Sequence, residues 1–175
     1  TYGLRLSSIT IDADGSPSGY IAWYNHSANL SRIRALRPSL KNDRYGVQRM
    51  EMLAIYFALA DNQRHIRHVA EGQKKKHLIV NIRSDSKTSV EQLQGISEIR
   101  DSLMKRICSA IRKLLDRMTY MTVFNHLDRT RNIAGLLLER RRRKEEERRL
   151  THLYEKAFVM SPLEKMFSYG MATTA

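Results

Sequence analysis

Three acidic residues far apart in the chain stand where the sequence around them gives them chemical potential. Asp14 ends a stretch in which Ile9, Ile11 and Ala13 alternate with Ser8, Thr10 and Asp12, Glu51 lies among good helix formers, and Asp85 follows the run HLIVNIRS. Alternation at a period of two reads as a strand, and apolar residues three and four apart read as a helix. Two of the acids therefore sit at strand ends and the third on a helix. Carboxylates so placed converge at the carboxyl edge of an α/β sheet, where such folds carry their sites. They repel one another there, and a divalent cation relieves the repulsion. Oxygen ligands alone suit Mg²⁺ or Mn²⁺. Singly, each acid reads as a turn or cap residue; only the set points to a cation.

The elements that must position these acids follow from the same periodicities. After the first strand, DGSPSG is dense in turn formers and YIAWYN is aromatic and β-prone, which predicts a hairpin. A third strand falls near Leu30 to Leu36, and Met50, Leu53, Ala54, Phe57 and Ala58 mark one helical face. LysLysLys at 74–76 precedes HLIVNI, a buried interior strand. Ile99, Leu103, Ile107, Ile111, Leu114 and Met118 trace a long amphipathic helix, TYMTVF a further strand, and Asn132 opens another helix. From Glu139 to Arg149 no apolar residue occurs, so that part of the helix lies in solvent or on a partner. Leu150, Leu153, Tyr154, Ala157 and Phe158 restore an apolar stripe, and SPLE at 161–164 is a capping box with proline at the first helical position. The order predicts an α/β domain with a mixed sheet at 1–139 and a basic helical extension at 140–175.

The chain of 175 residues is long enough for one substantial core, and 42% hydrophobic with 28% charged residues excludes a wholly disordered or fibrous chain. A net charge of +13 makes nucleic acid the first partner to consider, ahead of an acidic membrane. The single cysteine, Cys108, excludes an internal disulfide and a multi-thiolate zinc site, consistent with a reducing, cytoplasmic setting. Absence of a long apolar run predicts no membrane partner. Trp23, Cys108 and the methionines read as core. His65 and His68, three apart on a polar helix face, lack an evident third ligand for Zn²⁺. Arg142 with Glu146, Arg143 with Glu147, and Glu145 with Arg149 are each four apart and predict a salt-bridged helix in solvent.

Four segments resemble the ribonuclease H family, cellular or retroelement and viral. ADGSPSGY resembles its first catalytic strand, QRMEMLAIYFAL its first helix, IVNIRSDSKTSV its central strand ending in Asp-Ser, and FNHLDRTRNIAGLLLE its last motif, in which a loop histidine precedes an Asn and a helix. They occur in the family's order across 9–139. The resemblance implies a mixed five-stranded sheet flanked by helices and a metal-dependent endonuclease that hydrolyses the RNA strand of RNA–DNA hybrids. It implies that Asp14, Glu51 and Asp85 hold two Mg²⁺ ions, with Asp14 bridging them and Mn²⁺ as a substitute. His126 matches the histidine that shuttles protons or assists product release. Arg49 matches a contact to a DNA phosphate, and Gln48 stands where an amide meets a base edge or ribose hydroxyl.

One position departs from the family. Its fourth carboxylate sits in an Ala-Asp pair one turn into the last helix, where this chain reads Ala134-Gly135. Glu139, four residues on along the same helical face, Asp128, in the neighbouring loop, and Asp12, which shares the strand face of Asp14, are the acids that could substitute. Their ordinary alternatives are a pairing of Asp12 with a nearby arginine and a place for Glu139 on the charged surface helix. Arg140, Arg141, Arg142 and Arg143 are candidate phosphate contacts, and the C-terminal helices could equally meet a protein partner or belong to a polymerase. Two rival functions remain: a catalytically weakened nucleic-acid-binding module, and a nuclease of the same fold acting on DNA or a junction.

Overall fold

The computed structural model describes residues 7–37, 44–72, 78–118 and 120–157. Its strands are β1 (Ser7–Gly15), β2 (Tyr20–Asn25), β3 (Leu30–Ala35), β4 (Leu78–Ser84) and β5 (Met121–His126). They form one sheet in the order β3-β2-β1-β4-β5. β1 pairs antiparallel with β2 and parallel with β4, so the sheet is mixed, as expected. The turn-forming segment closes the predicted hairpin, with Gly19 at φ 89°. The helices are α1 (Gly46–Gly72), α2 (Lys87–Leu93), α3 (Ser102–Asp116) and α4 (Ile133–Ala157). The 74–76 lysines, Phe158 and the capping box at 161–164 lie outside the described residues.

Strand alternation sorts the side chains of β1 to two faces. Ile9, Ile11 and Ala13 turn to one face and join Ile55, Ala58 and Leu59 of α1 with Met104, Ile107 and Cys108 of α3 in the main core. Trp23 is buried in the same core, and its indole Nε1 donates to Asp61 at 2.8 Å. Thr10, Asp12 and Asp14 take the other face. A smaller cluster there joins Ala22 to Ala134 and Leu138 of the first turns of α4. Two short elements escaped the sequence reading: α2, capped by Ser86, and a 3-10 turn at Arg129–Arg131, capped by Asp128. Both are too short for an apolar period to show.

Asp101 joins two helices. Its carboxylate caps α3 by accepting from Met104 N at 2.9 Å and takes Nε and Nη2 of Arg49, on α1, at 2.8 and 2.7 Å. Both side chains are buried, and the pair holds the Asp101 carboxyl below the usual carboxylate range. Arg49, expected at a DNA phosphate, directs Nε and Nη2 of its guanidinium to Asp101.

The chain divides into two compact units, Thr1–Leu138 and Glu139–Ala175. Within the second, residues 139–157 continue α4 as a predominantly exposed helix. Arg142 pairs with Glu146 as expected, at 3.7 Å. Arg143 instead turns back to Glu139 at 2.6 Å, and Glu145 takes Arg141 at 2.9 Å. Arg143 and Glu145 each have an opposite charge four residues away on either side, so spacing alone leaves their partners undecided. Among the described residues no helix is long and apolar enough to cross a membrane.

Asp101→Ala strands a buried guanidinium and uncaps α3, so it is expected to lower the unfolding free energy by about 3 kcal/mol. Glu146→Ala, which opens an exposed pair, is expected to change it by less than about 1 kcal/mol. Urea denaturation of both variants checks the contrast.

Candidate active site

The parallel register of β1 and β4 sets Ala13 beside Ser84, so Asp14 and Asp85 leave adjacent strand ends side by side. The third acid comes from α1, which crosses β1 so closely that a Cβ on Gly15 would stand 2.4 Å from the Met50 carbonyl carbon. Only glycine permits that approach. It also lets Gly15 N–H donate to Glu51 Oε2 at 3.2 Å. One oxygen from each of Asp14, Glu51 and Asp85 then lies within 4.8 Å of the others, and all three residues are half-buried. Among the described residues this is the one group of three or more acids, histidines or cysteines so gathered; His65 and His68 form no such group.

Crowding changes the protonation of the trio. Burial and the charge of Asp85 push the Asp14 carboxyl up to about 7, despite the opposing field of Arg129. Glu51 is driven well above the ordinary range by burial and then by Asp14 and Asp85. Three oxygen donors that resist ionising together are what a hard divalent cation stabilises, so the residues present fit Mg²⁺ or Mn²⁺.

His126 stands at the end of β5 rather than in the loop beyond it, because the β4–β5 ladder runs on to pair it with Ser84. It is exposed, with Nε2 3.2 Å from the backbone oxygen of Asp85. Gln48 precedes Glu51 by about one turn and lines a pocket of about 190 Å³ with Arg44, Tyr45, Thr88, Gln92 and Arg100. The Gln92 side chain is buried, and its Oε1 has no hydrogen-bond partner among the described residues.

Of the acids proposed to replace a fourth carboxylate, Asp12 and Asp128 do not join the trio. Asp12 is fully buried and accepts from Arg83 Nε at 2.6 Å and Ile133 N at 3.2 Å, with His26 Nε2 2.9 Å away. Its strand face is that of Asp14, but its oxygens are taken by other partners. Asp128 accepts from Thr130 N and Oγ1 at the 3-10 turn, and Glu139 pairs with Arg143. Gly135 itself faces the site: a Cβ there would stand 3.1 Å from Asp14 Oδ2.

Sequence reasoning assigned no role to Asn132, which the structure places at the centre of the site's supports. Its Nδ2 donates to Ala13 O at 3.0 Å and Asp85 Oδ1 at 3.1 Å, while its Oδ1 accepts from Ala134 N at 3.1 Å. The available signal was an Asn immediately before a helical pattern, which marks a cap.

Comparison with solved structures agrees with this architecture. Ribonuclease H1 of the halophilic archaeon Halobacterium salinarum superposes with a TM-score of 0.56 at 18% identity, over 73% of this chain and 91% of its own. The LC11 ribonuclease H1 isolated from compost gives 0.57 at 20% identity, over 76% and 93%. The chain has the ribonuclease H fold. A further LC11 structure, a complex with an RNA/DNA hybrid, matches with a TM-score of 0.54 at 22% identity, over 71% of this chain and 88% of that one. No protein-family model matches the sequence, and no curated protein matches it.

Raised carboxyl pKa values fix the pH response. The unfolded chain releases these protons near an ordinary value of about 4, while the folded protein keeps them to about 7 at Asp14. The folded state binds more protons across that interval, so cation-free stability falls as pH rises through it. Asp61 and Asp101, held low by their arginines, act in the opposite sense at lower pH. Thermal melting in chelator should show Tm declining from about pH 5 to about pH 7.5, with Mg²⁺ or Mn²⁺ raising it more at the higher pH. Gly135→Asp adds a fourth charge beside Asp14; it is expected to lower Tm further in chelator and to tighten Mn²⁺ binding by calorimetry.

Proposed function

We propose that this chain is a metal-dependent endonuclease that hydrolyses the RNA strand of RNA–DNA hybrids, with Asp14, Glu51 and Asp85 holding two Mg²⁺ ions and Mn²⁺ as a substitute. The observation that carries the reading is the gathered carboxylate trio at the ends of β1 and β4. Its setting in a ribonuclease H fold, and a structural neighbour of that fold bound to an RNA/DNA hybrid, support it.

When bound, such cations supply Lewis-acid charge at a phosphate and lower the pKa of a coordinated water. Asp14, whose carboxyl neighbours both other acids, would share in holding both ions. Glu51 is oriented by Gly15 N–H and Asp85 by the Asn132 amide. His126, exposed with Nε2 3.2 Å from the Asp85 backbone oxygen, would move a proton at the leaving oxygen or help the product depart.

The pocket beside Gln48 is where the DNA strand would lie: Arg44 offers positive charge to a phosphate, Arg100 is paired with Glu98 on the same lining, and the Gln48 amide offers a donor and an acceptor to a base edge or ribose hydroxyl. Arg49, committed to Asp101, contributes there by holding α1 and α3 together. Of the basic residues on α4, Arg141, Arg142 and Arg143 are paired with glutamates. Among the described residues Arg140, Lys144 and Arg148 have no ion pair and recur at one-turn spacing, so phosphate contact on this helix falls chiefly to them.

Gly135 supports one second reading. With no carboxylate beside Asp14 at that position, a binding module with weakened catalysis has the same fold and the same basic surface.

Labelled RNA–DNA hybrid, duplex RNA, duplex DNA and a four-way junction, incubated in Mg²⁺, Mn²⁺ or chelator, separate these readings. The expected result is cleavage of the RNA strand of the hybrid alone, abolished by chelator. Asp85→Asn should reduce it about a hundredfold or more, equivalent to at least about 2.7 kcal/mol of lost transition-state stabilisation. Binding without cleavage in either metal supports the module; cleavage of DNA or the junction overturns the choice of substrate.

A further inference from the structure

Asp12 is a fully buried carboxylate in the middle of the sheet, two residues before Asp14 and on the same face. Its partners come from three directions. Arg83 lies directly opposite it in the β1–β4 ladder and donates through Nε at 2.6 Å. His26, just beyond β2, lies 2.9 Å from Oδ2 and stacks edge-on against Tyr24 with ring centroids 4.7 Å apart. The third partner is the backbone N–H of Ile133, the first residue of α4, at 3.2 Å. The first N–H groups of a helix have no partner within it, and a carboxylate beside them is favoured by the helix dipole.

The residue before Ile133 is Asn132, whose amide is fully committed. One Nδ2 hydrogen goes to Ala13 O and the other to Asp85 Oδ1, while Oδ1 caps Ala134 N and, at 3.4 Å, Gly135 N. Leaving Asp85 would cost the Asn132 amide its bonds to Ala13 O and to the N–H groups at the start of α4. Asp12 adds, through Ile133, a second tie between that start and β1 beside the bond from Asn132 to Ala13 O. A buried ion pair adds little net stability over a packed apolar pair, so stability alone is a weak account of an aspartate here.

We propose that Asp12 is a positioning residue for Asp85: by anchoring the first turn of α4 it aims the Asn132 amide at Oδ1 and leaves the other Asp85 oxygen free for a cation. This rests on the reading of Asp85 as a cation ligand. In this role Asp12 touches neither cation nor substrate, its oxygens being taken by Arg83 and the Ile133 N–H.

The test uses the full chain and Mn²⁺ alone, with affinity read by calorimetry and folding checked by thermal melting. Supporting groups around metal ligands typically alter affinity about 10- to 100-fold. Asp12→Ala and Asn132→Ala should each weaken Mn²⁺ binding about tenfold. Because one acts through the other, the double variant should bind no more weakly than Asn132→Ala alone. Asp12→Asn, which keeps an acceptor for the Ile133 N–H, should retain most of the affinity. If Asp12→Ala does not fold, combining it with Arg83→Ala removes the stranded guanidinium and carries the same expectation. Unchanged Mn²⁺ affinity in Asp12→Ala, or losses that multiply in the double variant, would overturn the proposal while leaving the cation site standing. No Mn²⁺ binding by the unsubstituted chain would overturn the cation site and this proposal together.

Discussion

Mutual repulsion among Asp14, Glu51 and Asp85 is the constraint around which the site is arranged. Left to themselves, three half-buried carboxylates within 4.8 Å would turn away from one another, and two of them hold protons well above the usual range. The backbone denies them that escape. Two acids leave neighbouring parallel strands in register, and the third rides on a helix pressed against Gly15. Each element is fixed by the apolar core beneath it, so burial on one face of β1 helps sustain the electrostatic tension on the other.

Around the trio lies a set of hydrogen bonds that commits particular oxygens and leaves others open. Glu51 Oε2 accepts from Gly15 N and Asp85 Oδ1 accepts from Asn132. Asp14 Oδ2 faces Gly135, where a side chain is lacking. The carboxylates nearest in sequence are drawn off by stronger local partners: Asp12 by Arg83 and a helix N-terminus, Asp128 by its own turn, Glu139 by an arginine one turn on. A carboxylate pairs with the nearest donor its backbone allows, and proximity in sequence does not supply proximity to the site.

The two compact units divide the chemistry differently. Thr1–Leu138 carries the sheet, the trio and the core. In the second unit, positions 140–149 hold seven basic and three acidic residues. There i,i+4 pairs neutralise part of the charge and support a helix without a core face. The cations left over give it a positive surface whose hold on a polyanion weakens as salt rises.

Periodicity and composition were enough to define the strands, the long helices, the hairpin and the mixed sheet, because burial on one face leaves a regular imprint on a strand or helix. The set of three acids was legible for the same reason, each marked by the end or face of its element. Length hid α2 and the 3-10 turn. The partner of each charge was decided only by the folded chain: Arg49 for Asp101, Asp12 for Arg83 and Ile133, Asn132 for Ala13 and Asp85, across separations of up to 121 positions. A local pattern says which way a side chain points, whereas the energy of a charge depends on distances to groups that only register and helix placement bring near.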